Sequence, residues 1–560
     1  MKTRISCLFL LLLVTAECLA QTKAQLEDAT QWYEAGDWMN ASKTYETLVR
    51  VNPYKGRFWY RRGVAQYLSD DLEGAVEAFT KSLDLGFSVR LTHYRLALCY
   101  TRLGQAEQAL QHLHETIGQA AGMLGRIRDD ETFAPLHSHE GFQALFGPRL
   151  PEDVSRTIGW RADLDYLDTL MQRSHFNLFR TMDRTTWERA VQRLHDRIPE
   201  LDDVEVIGEL MKLVARAGDG HTSMYPPLQE LQTRYTFHQV PLRLYRFDDG
   251  LFVQAAAPAY AEAVGGRVIL IGSRPIEDLW EESSVFFGRD NDMGLHFINP
   301  VSLVIPELLR LLGAADTSGA VTYHLEKTKG ARVAVTLPSA PLSFSVLSPL
   351  PSPDWITMRD GASGPAPLWL KHLDDPYWFE YLDEKKLVYF QFNQIRDKEE
   401  ESLADFSRRL FAFIEANDVT ALILDIRMNN GGNSGLNRHL VHEILKSEKI
   451  NQPGRLFTII GPRTFSAAQN LASDLESQTE TLFVGEPTGS SPNHVGEDNE
   501  VVLPYSKLMV GISSRYFQRS SSEDRRLWIA PHIAAEMTSQ DYAQQVDPAL
   551  EAILAYLKTP

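Results

Sequence analysis

Small and aromatic side chains recur at a fixed interval between about residues 24 and 120. Four sets of positions share a step of 34 residues: Ala41, Ala75 and Ala109; Leu26, Tyr60 and Tyr94; Ala29, Gly63 and Ala97; and Tyr45, Phe79 and Leu113. A repeat of this length predicts stacked helical hairpins, in which small residues let the paired helices approach. Gly36, Asp70 and Gly104 would then lie at the turns.

The period and its small positions resemble the tetratricopeptide repeat. The resemblance implies a helical array over residues 21–125 that binds a peptide segment of a protein partner on its concave face. A packing or dimerisation scaffold is the alternative interpretation.

Apolar residues continue at helical spacing through residues 151–235, which predicts a helical subdomain. Leu164, Leu167 and Leu170 mark one helix, and Ile207 and Leu210 mark another. The second helix ends at the turn sequence Gly218-Asp219-Gly220, so that His221 lies just beyond its C-terminus.

Residues 236–345 favour β-structure, with runs such as Leu242–Tyr245 and Gly266–Gly272. Arg274-Pro275-Ile276 then opens a helix, and this order resembles the PDZ module that is inserted in C-terminal-processing peptidases. The following segment, 346–380, is rich in proline, serine and glycine between Pro349 and Pro367, which predicts a linker or a long loop.

From residue 381 to 560 the pattern alternates between strand and helix. The short apolar runs are Leu387–Phe390, Ala421–Ile426, Leu456–Ile460 and Leu482–Val484. Between the first two, Leu403, Phe406, Leu410 and Phe413 have the spacing of one helix face. Such alternation predicts a parallel sheet with covering helices, and ligands bind at the carboxyl ends of the strands in such sheets.

Three of the predicted strand ends carry distinctive sequences, DIRMNNGGN (425–433), GPRTFSAAQ (461–469) and VGEPTG (484–489). In this order they resemble the C-terminal-processing, tail-specific and tricorn-core serine peptidases, a family with the Clp protease/crotonase fold. Pro531-His532-Ile533 and Asp547-Pro548-Ala549-Leu550 match the family's ending, and Gly218–His221 is a weaker match upstream. The resemblance implies a peptide-bond hydrolase whose nucleophile is Ser466.

Ser466 also fits a purely structural role. Ser466-Ala467-Ala468-Gln469 has the spacing of a capping box, in which the serine only satisfies backbone amides at a helix start. As a nucleophile at that position, the serine would instead profit from the unpaired amides and the positive dipole end of the helix.

The family resemblance implies an oxyanion hole built from a glycine of the Gly431-Gly432 pair and the amide after the nucleophile. We assign Gly431 and Ala467 to it, with Gly432 as the alternative to Gly431. A turn in which glycine supplies positive φ is the structural interpretation of the same pair.

The general base departs from the main family pattern. C-terminal-processing members use a lysine after the third motif, but residues 487–500 contain neither lysine nor arginine. The tricorn branch uses a histidine from the preceding helical region, which implies that His221 is the base here, although Gly220 replaces the serine that precedes it there. His494 is the second candidate, and a helix-end role is the structural alternative for His221. Asp219, Glu486 or Asp524 could orient the histidine.

The first 20 residues have the pattern of a secretory signal peptide, with Lys2 and Arg4 ahead of the apolar run Ile5–Ala16. This pattern predicts export to the periplasm or the extracellular space, with a mature chain that starts near Gln21. The net charge of −18 argues against a nucleic-acid partner. Cys7 and Cys18 would leave with the signal, so that Cys99 could form neither an intrachain disulfide nor a cysteine-based metal site.

The sequence therefore predicts a multidomain protein: a helical tetratricopeptide array, a helical subdomain, a PDZ-like β insertion and an α/β core of the Clp protease/crotonase type. The predicted function is an exported serine peptidase that acts on peptides or protein tails without a metal or organic cofactor. Two alternatives are a catalytically inactive peptide- or lipid-binding homologue and an interaction scaffold based on the repeats.

Overall fold

The computed structural model describes residues 25–117, 127–128, 130–231, 233–327 and 330–558. The predicted signal segment, residues 1–20, lies outside these ranges. The chain divides into two compact units. One comprises Met1–Asp153 with Asn499–Pro504, and the other comprises Val154–Asp498 with Tyr505–Pro560.

The first unit is a series of helices. They are α1 (residues 25–34), α2 (Trp38–Val51), α3 (Gly56–Leu68), α4 (Leu72–Asp84), α5 (Val89–Arg102), α6 (Ala106–Ile117) and α7 (Glu140–Phe146). Helices α1 to α6 follow one another with short connections. Ala41, Ala75 and Ala109 are fully buried, as the repeat requires. The three predicted turn residues have left-handed φ: Gly36 (74°), Asp70 (69°) and Gly104 (70°). The predicted helical repeat is confirmed.

The second unit contains the remaining helices. They are α8 (Arg156–Ser174), α9 (Arg184–Arg197), α10 (Asp203–Ala215), α11 (Ile276–Ser283), α12 (Met293–Ser302), α13 (Pro306–Leu311), α14 (Leu403–Ala416), α15 (Asn437–Lys446), α16 (Ala467–Gln478), α17 (Ser539–Ala543) and α18 (Pro548–Tyr556). Helix α10 ends shortly before the turn that carries His221. Throughout the described ranges, no helix combines the length and the hydropathy that a membrane-crossing helix requires.

The strands fall into several sheets. They are β1 (Ser223–Met224), β2 (His238–Gln239), β3 (Leu242–Phe247), β4 (Gly250–Ala256), β5 (Arg267–Ile271), β6 (Arg274–Pro275), β7 (Val321–Glu326), β8 (Arg332–Leu337), β9 (Ala340–Pro341), β10 (Ile356–Thr357), β11 (Tyr377–Leu382), β12 (Leu387–Phe392), β13 (Ala421–Asp425), β14 (Leu456–Ile460), β15 (Leu482–Gly485), β16 (Asn493–Val502), β17 (Met509–Gln518) and β18 (Ile533–Ala534).

Strands β3 to β8 form an antiparallel sheet that β10 joins at the edge of β4. The segment 236–345 is thus partly β-structure, but it also holds α11 to α13, of which α12 buries Leu295 and Val301 and α13 buries Leu308. The proline-rich segment 346–380 is not wholly a linker, since β10 lies within it.

The central sheet has the strand order β11-β12-β13-β14-β15-β18. Only the β11–β12 pair is antiparallel, and the other neighbours are parallel. In this register Asp425 is opposite Ile459, and Ile460 is opposite Gly485. The ends of β13, β14 and β15 therefore meet at one edge of the sheet, and all three sequence motifs begin there.

Both faces of this sheet are covered. Helices α14, α15 and α16 pack on one face through Phe406, Ile444 and Leu471. The C-terminal helix α18 packs on the other face through Ala549 and Ile553. The predicted α/β core is confirmed.

Arg427 anchors the C-terminal helix to the central strand. Its Nη1 and Nη2 donate to the two carboxylate oxygens of Asp547 at 2.8 and 2.9 Å, and its Nε donates to Asp425 Oδ2 at 2.9 Å. Asp547 also accepts a hydrogen bond from the Ala549 amide at the start of α18. Because bidentate charged hydrogen bonds of this kind have a fixed geometry, they set the position of α18 against the sheet.

Replacing Gly63 by valine tests the close helix packing of the repeat. A β-carbon at Gly63 would lie 2.8 Å from two ring atoms of the buried Phe79, so that Gly63→Val should destabilise the first unit by about 1–3 kcal/mol. Hydrogen exchange of the full chain should then accelerate in peptides from α3 and α4 and stay unchanged in β12 to β15.

Arg57→Val is the matched control, because Arg57 is exposed on the same helix. Equal exchange in the Gly63→Val and Arg57→Val proteins would contradict the packing described here.

Candidate functional site

Ser466 occupies the turn between β14 and α16, at the carboxyl edge of the central sheet. Its backbone has φ 55° and ψ −122°, and a left-handed φ of this kind costs a residue other than glycine roughly 1–3 kcal/mol. The Ser466 side chain makes no capping hydrogen bond to α16. Gln469 Oε1, the acceptor that a capping box would use, has no partner among the described residues. The serine therefore does not act as a helix cap here.

Gly431 lies directly against the serine. A β-carbon at Gly431 would be 2.8 Å from Ser466 Cβ and 2.8 Å from the Ala467 amide nitrogen. Its φ is 109°, and that of Gly432 is 132°. Only glycine satisfies both the left-handed backbone and the close approach at this position.

The amides of this turn differ in their hydrogen bonding. The Gly431 amide, which the sequence favours as an oxyanion donor, donates to Asn429 Oδ1 at 2.8 Å and is occupied in this conformation. The amides of Gly432 and Ala467 donate no backbone hydrogen bond to any residue in the described ranges. The sequence did not reveal the contact with Asn429, because it depends on the local turn geometry.

The buried carboxylate of Asp219 fixes the turn that carries His221. Asp219 Oδ1 accepts from the amides of His221 at 3.1 Å and Thr222 at 2.7 Å and from Ser513 Oγ at 2.6 Å. Its Oδ2 lies 2.8 Å from His175 Nε2. Burial raises the pKa of Asp219, but the hydrogen bonds and charge of His175, with the bonds from Ser513 and Thr222, outweigh burial and lower the pKa to about 2.

The His221 imidazole stacks on the residue next to the serine. Its ring centroid is 4.4 Å from that of Phe465, with 25° between the planes. A β-carbon at Gly496 would lie 3.2 Å from His221 Cε1, so that the glycine leaves room for the ring. His221 Nδ1 is buried and has no hydrogen-bond partner among the described residues.

His221 and Ser466 line one cavity of about 390 Å³. Asp290, Asp498 and Asn430 line it as well. Asp290 accepts from the Gly220 amide at 2.9 Å across 70 residues of sequence. No local pattern marked Asp290 or Asp498, because their proximity to His221 arises only from the tertiary fold.

His494 lies behind His221 and is not among the residues that line this cavity. The two rings are nearly parallel, with centroids 5.8 Å apart, and His494 Nδ1 is 3.1 Å from the Ser491 carbonyl oxygen. Burial is the main cause that lowers the pKa of His494 to about 4, and His221 lowers it further against the opposing effect of Asp290. His494 is therefore neutral near pH 7.

The three acids considered as orienting groups lie in different places. The Asp219 carboxylate binds the His221 backbone amide with one oxygen and pairs with the His175 ring through the other. Glu486 lines a second cavity. Asp524 forms an ion pair with Arg526 at 2.7 Å, and the hydrogen bond from Arg526 is the main cause that lowers the pKa of Asp524. Within the described ranges, no group of three or more His, Cys, Asp or Glu side chains could hold a metal ion.

Comparisons with known proteins agree with this architecture. The tetratricopeptide repeat family model matches residues 92–121, and no curated protein matches the chain. A crystal structure of a CPAF mutant is 12% identical with a TM-score of 0.50, and the match covers 71% of this chain and 96% of that one. This likeness shows that the two chains share a fold, which confirms the fold expected from the motifs.

Two further solved structures are similar to the chain. The photosystem II D1 C-terminal processing protease is 13% identical with a TM-score of 0.36, and the match covers 72% of this chain and 97% of that one. The tricorn protease is 13% identical with a TM-score of 0.34, and the match covers 74% of this chain and 38% of that one.

The strained φ of Ser466 predicts an unusual response to glycine. Ser466→Gly should be about 1 kcal/mol more stable than Ser466→Ala in urea unfolding, because glycine adopts a left-handed φ without the steric cost that alanine retains. Ser155 provides the matched pair of control variants, since it precedes α8 with an ordinary φ of −63° and no side-chain cap. If the glycine–alanine difference at 466 does not exceed that at 155, the turn is not strained.

Asp219→Asn should destabilise the protein by about 3 kcal/mol, because the asparagine removes the buried charge and replaces the oxygen that faces His175 Nε2 with an NH₂ group. The folded pKa of about 2 lies below the ordinary value of 3.8. The carboxylate therefore stabilises the fold fully above about pH 4 and loses that effect as the pH falls through 2. Chemical unfolding of wild type and variant should converge over that interval. The exposed Asp278→Asn is the control, and a constant difference between wild type and Asp219→Asn down to pH 2 would contradict this role of the charge.

Proposed function

We propose that the protein is an exported serine peptidase, with Ser466 as the nucleophile and His221 as the general base. The observation that carries this proposal is the position of Ser466. It is held in a strained turn at a helix start, does not cap that helix, and lines one cavity with the histidine. Strained serines that precede a helix at the carboxyl edge of a sheet are typical of nucleophiles.

In the proposed reaction, Ser466 Oγ attacks the carbonyl carbon of a peptide bond while His221 takes the hydroxyl proton. The negative charge that develops on the carbonyl oxygen is stabilised by the amides of Ala467 and Gly432. We prefer Gly432 to Gly431 because the Gly431 amide is occupied by Asn429. When the tetrahedral intermediate collapses, the C–N bond breaks and His221 returns the proton to the leaving amine. Water then releases the acyl group from Ser466.

His221 is preferred to His494 on two grounds. Only His221 shares the cavity with Ser466, and the low pKa of His494 makes it a weak base. We further propose that Asp219 positions His221 through the backbone amide rather than by a hydrogen bond to the imidazole.

The other parts of the chain suggest how this activity is used. The signal pattern of residues 1–20 supports export to the periplasm or the extracellular space, with a mature chain from about Gln21. The helical repeats offer a surface for a protein partner, and the β3–β8 sheet is the part that we compare with a PDZ module. The substrate class is a peptide or an unfolded protein tail.

A fluorophosphonate probe tests the nucleophile directly, because it reacts covalently with an activated serine. The wild-type protein should be labelled and should hydrolyse peptides, and Ser466→Ala should abolish both while the protein stays folded. Ser522→Ala is the control, since Ser522 is exposed and outside the cavity. Absence of labelling in wild type would favour a binding protein or a repeat-based scaffold instead.

Histidine variants identify the base. His221→Ala should lower kcat by roughly 10²–10⁴-fold, as expected for the loss of general base catalysis. The exposed His114→Ala should have no effect. A silent His221→Ala with an inactive His494→Ala, or a rate that rises near pH 4, would show that His494 is the base.

A further inference from the structure

Arg463 is a buried cation three residues before the proposed nucleophile. Arg463 as a whole is only 8% exposed. The guanidinium lies 4.0 Å from the Phe297 ring centroid, and Nη2 donates to the Leu347 carbonyl at 3.2 Å. With its amide oxygen turned towards Arg463, Asn430 accepts from Nη2 at 3.3 Å. The Nε atom is buried and has no hydrogen-bond partner among the described residues.

A second arginine lies at the same place. Arg243 on β3 lines, with Arg463, a cavity of about 100 Å³. Its Nε donates to Gln254 Oε1 at 2.9 Å, and its other nitrogens donate to the carbonyl oxygens of Leu350 and Ser348. These partners are neutral, and no carboxylate in the described ranges forms an ion pair with either arginine.

The positive charge of this cavity is not neutralised by its own lining. Arg427 also lines the cavity. The carboxylates of Asp425 and Asp547 pair with Arg427 and so do not offset the charge of the other two arginines. Glu486 is the one acidic residue among the described lining residues. Burial, reinforced by Glu536, raises its pKa to about 7, so that it is only partly ionised near neutral pH. Burial and the repulsion from Arg243 lower the pKa of Arg463 to about 9.

Two buried guanidinium groups without a counter-charge are costly, because desolvation is not repaid by an ion pair. Such a pair is therefore poised to bind an anion, and the planar guanidinium is suited to a carboxylate. The cavity volume is several times the roughly 10–15 Å³ that one ordered water needs, which leaves room for a carboxylate.

The cavity adjoins the one that holds Ser466. Phe297, Val301, Val346 and Pro462 line both. A peptide whose scissile carbonyl lies at Ser466 could thus place a nearby carboxylate between the two arginines.

We propose that Arg463 and Arg243 form a substrate subsite that binds a carboxylate of the peptide, which makes the enzyme selective for acidic substrates. This inference rests on the proposed peptidase function and names its substrate class. The carboxylate comes either from an aspartate or glutamate side chain or from the free C-terminus of the peptide. The net charge of −18 repels such substrates at long range, so that the selectivity must arise from this local site.

The test compares peptides that differ by one charge. Each peptide is made with glutamate or the isosteric glutamine at one position near the scissile bond, and with a free or an amidated C-terminus. At the position that reaches the two arginines, wild-type kcat/KM should be roughly 10- to 100-fold higher for the peptide with the carboxylate than for the one with the amide. This is the range expected for hydrogen bonds to a charged group. The glutamate series identifies a side-chain carboxylate, and the C-terminal series identifies a chain end.

Arg463→Gln and Arg243→Gln should each reduce this acid-to-amide ratio towards one. The ratio is measured within each protein, so that a change in absolute rate does not affect it. Arg243→Gln is the safer variant, because Arg243 lies on β3, away from the turn that carries Ser466. The exposed Arg332→Gln removes the same charge elsewhere and should leave the ratio unchanged. A ratio that survives in both Arg463→Gln and Arg243→Gln would overturn the proposal.

Binding to the inactive Ser466→Ala protein separates this inference from the proposed activity. Fluorescence anisotropy with the same labelled peptides should show tighter binding of the acid by a similar factor, and the preference should disappear when Arg243→Gln is added. A wild type that is labelled by fluorophosphonate but shows no acid preference in either assay would refute the subsite alone. Missing labelling together with acid-selective binding would refute the peptidase function and leave the subsite standing.

Discussion

The buried carboxylate of Asp219 is the contact on which the geometry around His221 depends. It joins the loop after α10 to Ser513 on β17 and to His175 at the end of α8. A charged group in the interior is unfavourable unless its oxygens are fully hydrogen-bonded, and here backbone amides and side chains supply those bonds. The helical subdomain and the strand β17 thus hold one histidine in place through a residue that does not itself reach the cavity lining.

Several features around Ser466 reduce the stability of the folded protein. The serine has a left-handed φ, His221 Nδ1 is buried without a partner, and Arg463 is a buried cation without an acid. Arg427, by contrast, is matched by the carboxylates of Asp425 and Asp547. Strain and unmatched polar groups near a cavity are expected where a protein binds or reacts, since a ligand can supply the missing partner.

The sequence predicted the central sheet well, because buried parallel strands are short apolar runs and their ends must meet at one edge. It also predicted Ser466, Gly431 and His221 as candidates, since glycine and polar residues at strand ends and helix ends are local features. It could not distinguish a serine cap from an uncapped turn, because the sequence Ser-Ala-Ala-Gln is compatible with both. Asp290, Asp498 and Arg463 were missed for a different reason. Their burial and their neighbours depend on contacts between distant segments.

The bond between Arg427 and Asp547 has a consequence for biosynthesis. Arg427 belongs to the strand end that precedes the Gly431 turn, whereas Asp547 lies close to the C-terminal helix that covers the opposite face of the sheet. On a ribosome the segment that holds Ser466 emerges before this cover. A nascent or truncated chain that lacks Asp547 leaves Arg427 with an incomplete set of partners and one face of the sheet bare. The carboxyl edge of the sheet therefore reaches its final form only after the segment around Asp547 has been made, later than the segment that holds Ser466.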